Sequence, residues 1–386
     1  MEQDILGLAI AIFLLIAIIN QLRKFRPDII FSICLLLYIA IPSTLDIYSS
    51  IADEGAIGMA SLLSKFFILG YLISQFSITF KKRSKEFDFY AIDVSGKKLI
   101  LIGYGIIVLY IIGICIYSAF DRNIIHELIS TRVQIALIFL FAFSFGDIKS
   151  NKDAVYYYLP MLSAAIFLFI SGSRIFVIPA VIFMLLLNLR LESKTSIKIV
   201  VAASVLFGLI VPILRNFSGD LFSERNLVSL TGEWYFTYLS FIYSIQNNLN
   251  FDQSFMQMIF IRFLPFIQEV GIQNSDAIIN ESLRLDFGIG SSYLADIKLF
   301  GVDEPFSYLM LGLFVGAIYR FCSFYSRGFM RIAYMIFLSF TPIIFRSGFM
   351  YNFALLKSIL AYSLIIWLFL IATSILKTRR RRKILD

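Results

Sequence analysis

The residues of this chain with the clearest chemical capacity are arginines at the ends of apolar runs. The most exceptional is Arg174, in the turn Ser171-Gly172-Ser173-Arg174 between apolar runs near 155–171 and 175–189. Apart from tyrosines, no other ionisable side chain lies between Asp153 and Arg190. At about 1.5 Å per residue the second run covers roughly 22 Å, less than the ~30 Å hydrocarbon core of a bilayer. The turn is therefore expected below the outer headgroups, where an arginine costs about 2.5–3.5 kcal/mol unless something compensates. Ser173 is a good N-cap for the second run, and Gly172 permits a tight turn. A helix N-terminus already carries positive partial charge, so a guanidinium there calls for an anion. A phosphate that accepts a bidentate contact fits best. Two blander readings stay open on sequence alone: snorkelling to lipid phosphates, and pairing with a distant carboxylate.

Other cations sit in comparable places. Arg215 directly follows an apolar run, and Arg346 ends another in Phe345-Arg346-Ser347-Gly348-Phe349. Each is either an interfacial anchor or part of an anion site. Lys65 and Lys357 lie well inside apolar runs; both can snorkel if the helices tilt, and Lys65 equally suits a bound anion or a watery cavity. Acid–base candidates are His126, Glu233, Asp276, Glu281, Asp286, Asp296, Asp303 and Glu304. His126 is the only histidine, in Asp121-Arg122-Asn123-Ile124-Ile125-His126-Glu127, and its bland reading is a solvated loop residue. No Asp-x-Asp pair is found in the outer loops and no His/Cys cluster exists, so no metal site is expected. Glycine patterns for ATP or NAD are missing too, so no nucleotide or other cofactor is expected.

What must position these groups is a set of membrane helices. Hydrophobic residues make up 59% of the chain and charged ones 16%, with a mean hydropathy of +0.84; a soluble domain carries about a quarter charged residues. The runs are continuous, not the short alternating segments of a barrel. The fold class expected is all-α: a polytopic transmembrane helix bundle, 1–386 as a single integral membrane domain, with about 11 spans. They lie near 5–20, 29–46, 57–79, 99–118, 133–146, 155–171, 175–189, 198–214, 306–323, 330–345 and 350–374. Met1-Glu2-Gln3-Asp4 has no basic n-region, so the first run is read as a retained span. Most Lys and Arg fall in alternate loops, among them Arg23, Lys24 and Arg26, then Lys81, Lys82 and Arg83. The loop Asp46–Ala56 has none. The positive-inside rule then gives N-out and C-in, with 377–386 as a basic cytoplasmic tail.

A large outer loop, 215–305, holds only Arg215, Arg225, Arg262, Arg284 and Lys298 as cations, against a larger number of carboxylates. Its apolar pieces Trp234–Ile245 and Phe255–Ile267 are too short to span and are expected as short amphipathic helices on the outer surface or re-entering partway. A thin hairpin of two further spans would leave the parity unchanged. The net charge of +8 is topological and implies no nucleic acid. The cysteines Cys34, Cys115 and Cys322 give no disulfide framework.

Two stretches carry a family resemblance. One is Phe169-Ile170-Ser171-Gly172-Ser173-Arg174. The other is Gly288-Ile289-Gly290-Ser291-Ser292-Tyr293-Leu294-Ala295-Asp296, followed by Phe300-Gly301, Gly312 and Gly316. Together they resemble the Wzy-type O-antigen and capsular polysaccharide polymerases, in which a Ser-Gly-Ser-Arg turn opens a span and a Gly-x-Ser…Phe-Gly…Gly pattern closes a long outer loop. The Arg-x10-Gly pattern of some members and the His-x10-Gly pattern of the related O-antigen ligases are both missing here.

The resemblance implies a GT-C-like membrane glycosyltransferase, independent of metal and nucleotide, in the bacterial inner membrane with its active site facing the periplasm. Its partners would be donor and acceptor glycans on undecaprenyl diphosphate, membrane lipids, and in some systems a chain-length regulator. Arg174, with Arg215, would hold the diphosphate as catalytic groups, and Glu233 or another loop carboxylate would take the acceptor proton. Ser171, Gly172, Ser173, Arg284, Arg346 and Lys65 would bind substrate. The competing readings are a lipid-linked oligosaccharide flippase or transporter and an O-antigen ligase-like transferase.

Overall fold

Long apolar runs with few internal breakers fold as helices, because in an apolar surrounding every backbone N–H and C=O must find its partner within the segment. The computed structural model describes residues 5–24, 26–44, 48–77, 94–119, 124–125, 128–129, 131–144, 160–161, 163–164, 167, 178–183, 186, 224–263, 278–279, 281, 292–325 and 328–385. Among the described residues the chain is all-helical, without strands. Those long and apolar enough to cross a membrane are four: Ile5–Arg23, Glu54–Ser77, Ile100–Tyr117 and Pro305–Tyr325. This is the composition and helix length of a membrane protein.

The chain divides into two compact units. The first comprises 1–82, 187–325 and 341–354. It contains α1 (Ile5–Arg23), α2 (Ile29–Leu35), a π-helix (Leu36–Ala40), α3 (Ile41–Thr44) and α4 (Glu54–Ser77). After the intervening unit come α5 (Glu224–Gln246), α6 (Phe255–Phe263), α7 (Tyr293–Leu299), α8 (Pro305–Tyr325) and α9 (Thr341–Ser347). The second unit contains α10 (Val94–Tyr117), α11 (Thr131–Ser144) and α12 (Gly328–Ser339), with α10 packed on α11. The last helix, α13 (Tyr351–Leu385), starts in the first unit and continues in the second. It stays helical through the Arg379–Arg382 run, so the basic segment prolongs a helix.

Most described helices match the apolar runs to within a few residues, but the expected span 330–345 does not exist as one helix. It is broken at Phe340 into α12 and α9, which belong to different units. Pro342 supplies the reason: it lacks an N–H and its ring would strike the carbonyl one turn back, so it is accepted only in the first turn of a new helix. A related adjustment occurs just before Pro42, where the Ile41 N–H bonds back to the Leu36 carbonyl in the wider π pattern.

α4 and α8 form the main contact of the first unit. Between apolar helices in lipid, little hydrophobic driving force acts, and close van der Waals contact takes its place. Here glycines make that contact. A Cβ on Gly70 would strike the Leu309 carbonyl, one on Gly312 the Phe67 carbonyl, and one on Gly316 the Ser74 hydroxyl. Two of the glycines in the family-like pattern therefore have a packing role, with Gly312-x-x-x-Gly316 laying one backbone against the other.

Contacts also fix the direction of the helices in this unit. The carboxyl ends of α1, α4 and α8 meet at one end, where Gln21 donates to Tyr71 at 3.3 Å and Gln75 to the Gly316 carbonyl at 3.3 Å. At the other end the 48–53 turn meets the end of α5: the Asp53 N–H donates to Gln246 at 3.3 Å, and Tyr243 to the Ile51 carbonyl at 3.3 Å. There too the Phe251 N–H donates to the Leu299 carbonyl at 2.7 Å.

Within 215–305 the described residues include three helices, α5, α6 and α7. Trp234–Ile245 belongs to a helix of 23 residues, α5, with Tyr238, Leu239, Phe241 and Ile242 buried. Tyr238 meets Ser64 at 3.1 Å, roughly 15 Å along α4 from its start. α5 is thus longer than the apolar piece read from the sequence, and its burial is provided by neighbours and not by its own hydropathy. α6 keeps more of the expected character: Met258 is buried while Met256 and Phe260 are exposed. α7 enters furthest. All of its residues are buried, and Tyr293 reaches the rings of Phe67 (5.9 Å) and Phe31 (6.2 Å).

Candidate functional site

A narrow cleft in the first unit, with about 10 Å³ of free space, is lined by Tyr38, Thr237, Tyr238, Ser292, Tyr293 and Phe345, together with Ile39, Phe241 and Leu294. Each wall has a local reason. Tyr38 stands in the π-helix, whose extra residue shifts the side chains that follow. Thr237 and Tyr238 belong to α5, held by the Tyr238–Ser64 hydrogen bond and by Tyr48, stacked on Tyr235 at 4.9 Å. Ser292 caps α7 by accepting the Ala295 N–H at 3.0 Å. Tyr293 stacks on Phe345 with centroids 4.9 Å apart and rings 16° from parallel. Aromatic faces and hydroxyls thus share one surface, a chemistry that can stack an apolar ring face and hydrogen-bond its rim.

The sequence candidates distribute around it unevenly. Lys65 is half-buried on α4, next in sequence to Ser64. Arg346, also half-buried, is on α9 next to Phe345. Glu233 is on α5 next to Trp234, whose ring meets Tyr38 at 6.4 Å. The helices bearing Glu233 and Arg346 line the cleft through Thr237, Tyr238 and Phe345, and α4, which bears Lys65, adjoins that wall through the Ser64–Tyr238 hydrogen bond. Ser171, Gly172, Ser173, Arg174, Arg215 and Arg284 lie outside the described residues, as do His126, Asp276 and Asp286. Glu281 and Glu304 are exposed, and Asp303 pairs with buried Lys298 at 2.9 Å. Lys298 also donates to Asn248 at 3.3 Å, which ties α7 to the turn after α5.

Asp296 has a structural commitment. It is 1% exposed, and its Oδ2 accepts the Met350 N–H at 2.9 Å. Gly348 has φ +99°, and a Cβ there would run into the Asp296 carboxylate. The Gly288–Asp296 stretch and the Phe345–Phe349 stretch, singled out separately in the sequence, meet at this point. Gly348→Ala is expected to destabilise the protein by about 1–3 kcal/mol through the strained φ and the clash, read as a lower unfolding midpoint in detergent. An unchanged midpoint would mean that the carboxylate does not grip this turn.

The sequence reading missed a buried polar cluster at the opposite end of the unit. Arg26, counted there among the loop cations, is 7% exposed and forms a two-pronged pair with fully buried Asp28. The Arg26 Nη2 also donates to Gln75 at 2.7 Å, and Ser323 donates to Asp28 at 3.2 Å. Burial pushes the Asp28 carboxyl above its usual range, opposed by the Arg26 guanidinium and its hydrogen bonds. The available signal was Arg26-Pro27-Asp28, opposite charges across a proline in a very short connection.

Among the described residues no group of His, Cys, Asp and Glu is placed to hold a metal ion. Comparison with models of known families, with curated proteins and with solved structures finds no match to this chain.

Proposed function

We propose that this protein polymerises oligosaccharide repeat units carried on undecaprenyl diphosphate, building O-antigen or capsular polysaccharide on the outer face of a bacterial inner membrane. The reading rests on the two family-like motifs. The observation that carries it further is the cleft, where the Ser292–Asp296 motif, the α5 segment after Glu233 and the Phe345 end of α9 converge on aromatic and hydroxyl-bearing walls. Sugars present just such alternating apolar and hydrogen-bonding surfaces.

In the proposed reaction an acceptor hydroxyl attacks the anomeric carbon of the donor. The new C–O bond forms as the bond to the diphosphate breaks, and the diphosphate leaves with the bonding pair. Glu233 takes the hydroxyl proton. Arg174 and Arg215 hold the diphosphate as its charge grows, in a poorly hydrated site where fixed cations act most strongly. Arg284 or Arg346 orients a second phosphate or the acceptor, and Lys65 adds positive charge beside the cleft.

The proposed frame is a GT-C-like bundle of about 11 spans, N-out and C-in. Its support in the first unit is that the 48–53 turn and the end of α5 share one end, while the 24–28 turn and the carboxyl ends of α4 and α8 share the other. The alternation of basic loops requires the same grouping.

A flippase is the second reading, favoured by the buried Arg26–Asp28 pair, since transporters carry buried charge at more than one depth. A ligase-like transferase is the third. Purified protein in proteoliposomes with labelled lipid-linked repeat units separates them. Chain extension without added nucleotide or metal is the expected result; translocation without new glycosidic bonds would overturn it in favour of the flippase.

A further inference from the structure

The Arg26–Asp28 cluster contains a second guanidinium whose bonding is incomplete. Arg320, on the last turns of α8, is 7% exposed. Its Nη1 donates to the Ser74 carbonyl at 3.4 Å, and its buried Nε has no hydrogen-bond partner among the described residues. Arg26 is paired with Asp28, the one carboxylate at the cluster among the described residues. Both guanidinium carbons lie over the ring of Phe324, Arg26 at 5.5 Å and Arg320 at 5.8 Å. Among the described residues two cations thus share one ring and one carboxylate. The carboxyl ends of α4 and α8 offset part of the surplus charge, but their one contact to Arg320 is too long to fill the guanidinium fork. A buried donor left open is unfavourable, so the arrangement calls for an occupant. Close by, Phe321 and Tyr325 expose large apolar faces.

We propose that Arg320, with Arg26 beside it, is a binding site for a phosphate group, taken up by the Nε–Nη2 edge of Arg320. A phosphate oxygen pair matches that fork and a point acceptor does not. The group could be the phosphodiester of an anionic phospholipid, for which Phe321 and Tyr325 offer acyl-chain contact, or a free phosphate ester. This site is separate from the cleft and does not depend on what the cleft does.

The test uses the full chain, purified and stripped of lipid in detergent, with native mass spectrometry as readout. Phosphatidylglycerol, phosphatidylcholine and glycerol phosphate are titrated against the unmodified protein, Arg320→Gln, Arg320→Lys and Arg23→Gln, the last an exposed arginine at the end of α1. Affinity for phosphatidylglycerol is expected to fall about tenfold or more in Arg320→Gln, to fall less in Arg320→Lys, and to stay unchanged in Arg23→Gln. Unfolding midpoints are measured first, and Arg320→Lys carries the test if Arg320→Gln does not fold. Selectivity for phosphatidylglycerol over glycerol phosphate assigns the group to a lipid; equal binding of both assigns it to a free phosphate ester. Equal affinity of the unmodified protein and the Arg320 variants, or an equal loss in Arg23→Gln, overturns the proposal.

Discussion

Arg26→Ala is expected to lower stability by about 3–5 kcal/mol, among the largest effects available to a single substitution in this chain. The loss has a definite origin. Asp28 is fully buried, and without Arg26 it retains Ser323 and Gln21 as hydrogen-bond partners but loses its paired guanidinium, leaving only Arg320, not bonded to it, as nearby positive charge among the described residues. The carboxylate then either stays charged in a poor solvent or takes up a proton, and both cost free energy. Replacing both members by apolar residues of similar volume, Arg26→Met with Asp28→Leu, removes the charge together with its partner. That variant is expected to regain most of the loss. Unfolding midpoints in detergent and the yield of membrane-inserted protein report both. A cost below about 1 kcal/mol for Arg26→Ala would mean that the pair behaves as an exposed one.

The second large effect concerns the proposed activity. Arg174→Ala is expected to reduce polymer formation by about 10²–10³-fold, the range for removing one fixed donor from a developing oxyanion. Arg174→Lys is expected to be nearly as poor, because one ammonium cannot reproduce the planar fork. Polymer length in a strain lacking the native copy, with membrane levels of each variant matched by immunoblot, is the measurement. Full-length polymer from Arg174→Ala would remove this residue from the proposal and with it the reason to locate chemistry at the 171–174 turn.

How much was legible in the sequence depends on what each feature draws its stability from. Runs whose own hydropathy suffices were read within a few residues: 57–79 against Glu54–Ser77, and 306–323 against Pro305–Tyr325. Features that depend on partners were not. α5 is buried through Ser64, Tyr48 and α7, none of which its own composition announces. Arg26 looks like any positive loop residue until Asp28 and Gln75 enclose it. Pro342 was visible, but the apolar run around it outweighed a single breaker. For the cleft, the sequence offered Lys65, Glu233 and Arg346 as isolated candidates. The cleft itself arises from the π-helix, the capping of α7 by Ser292 and the stacking of Tyr293 on Phe345, which only the folded chain brings together.

The seam between α4 and α8 has an evolutionary corollary. Where one chain's carbonyl occupies the place of the other's first side-chain carbon, as at Gly70 and Gly312, larger residues are excluded whatever the surrounding sequence becomes. Homologues too divergent to align by overall identity will still keep a minimal residue at both sites. Those paired positions can serve as fixed points from which the drifting segments between them are counted.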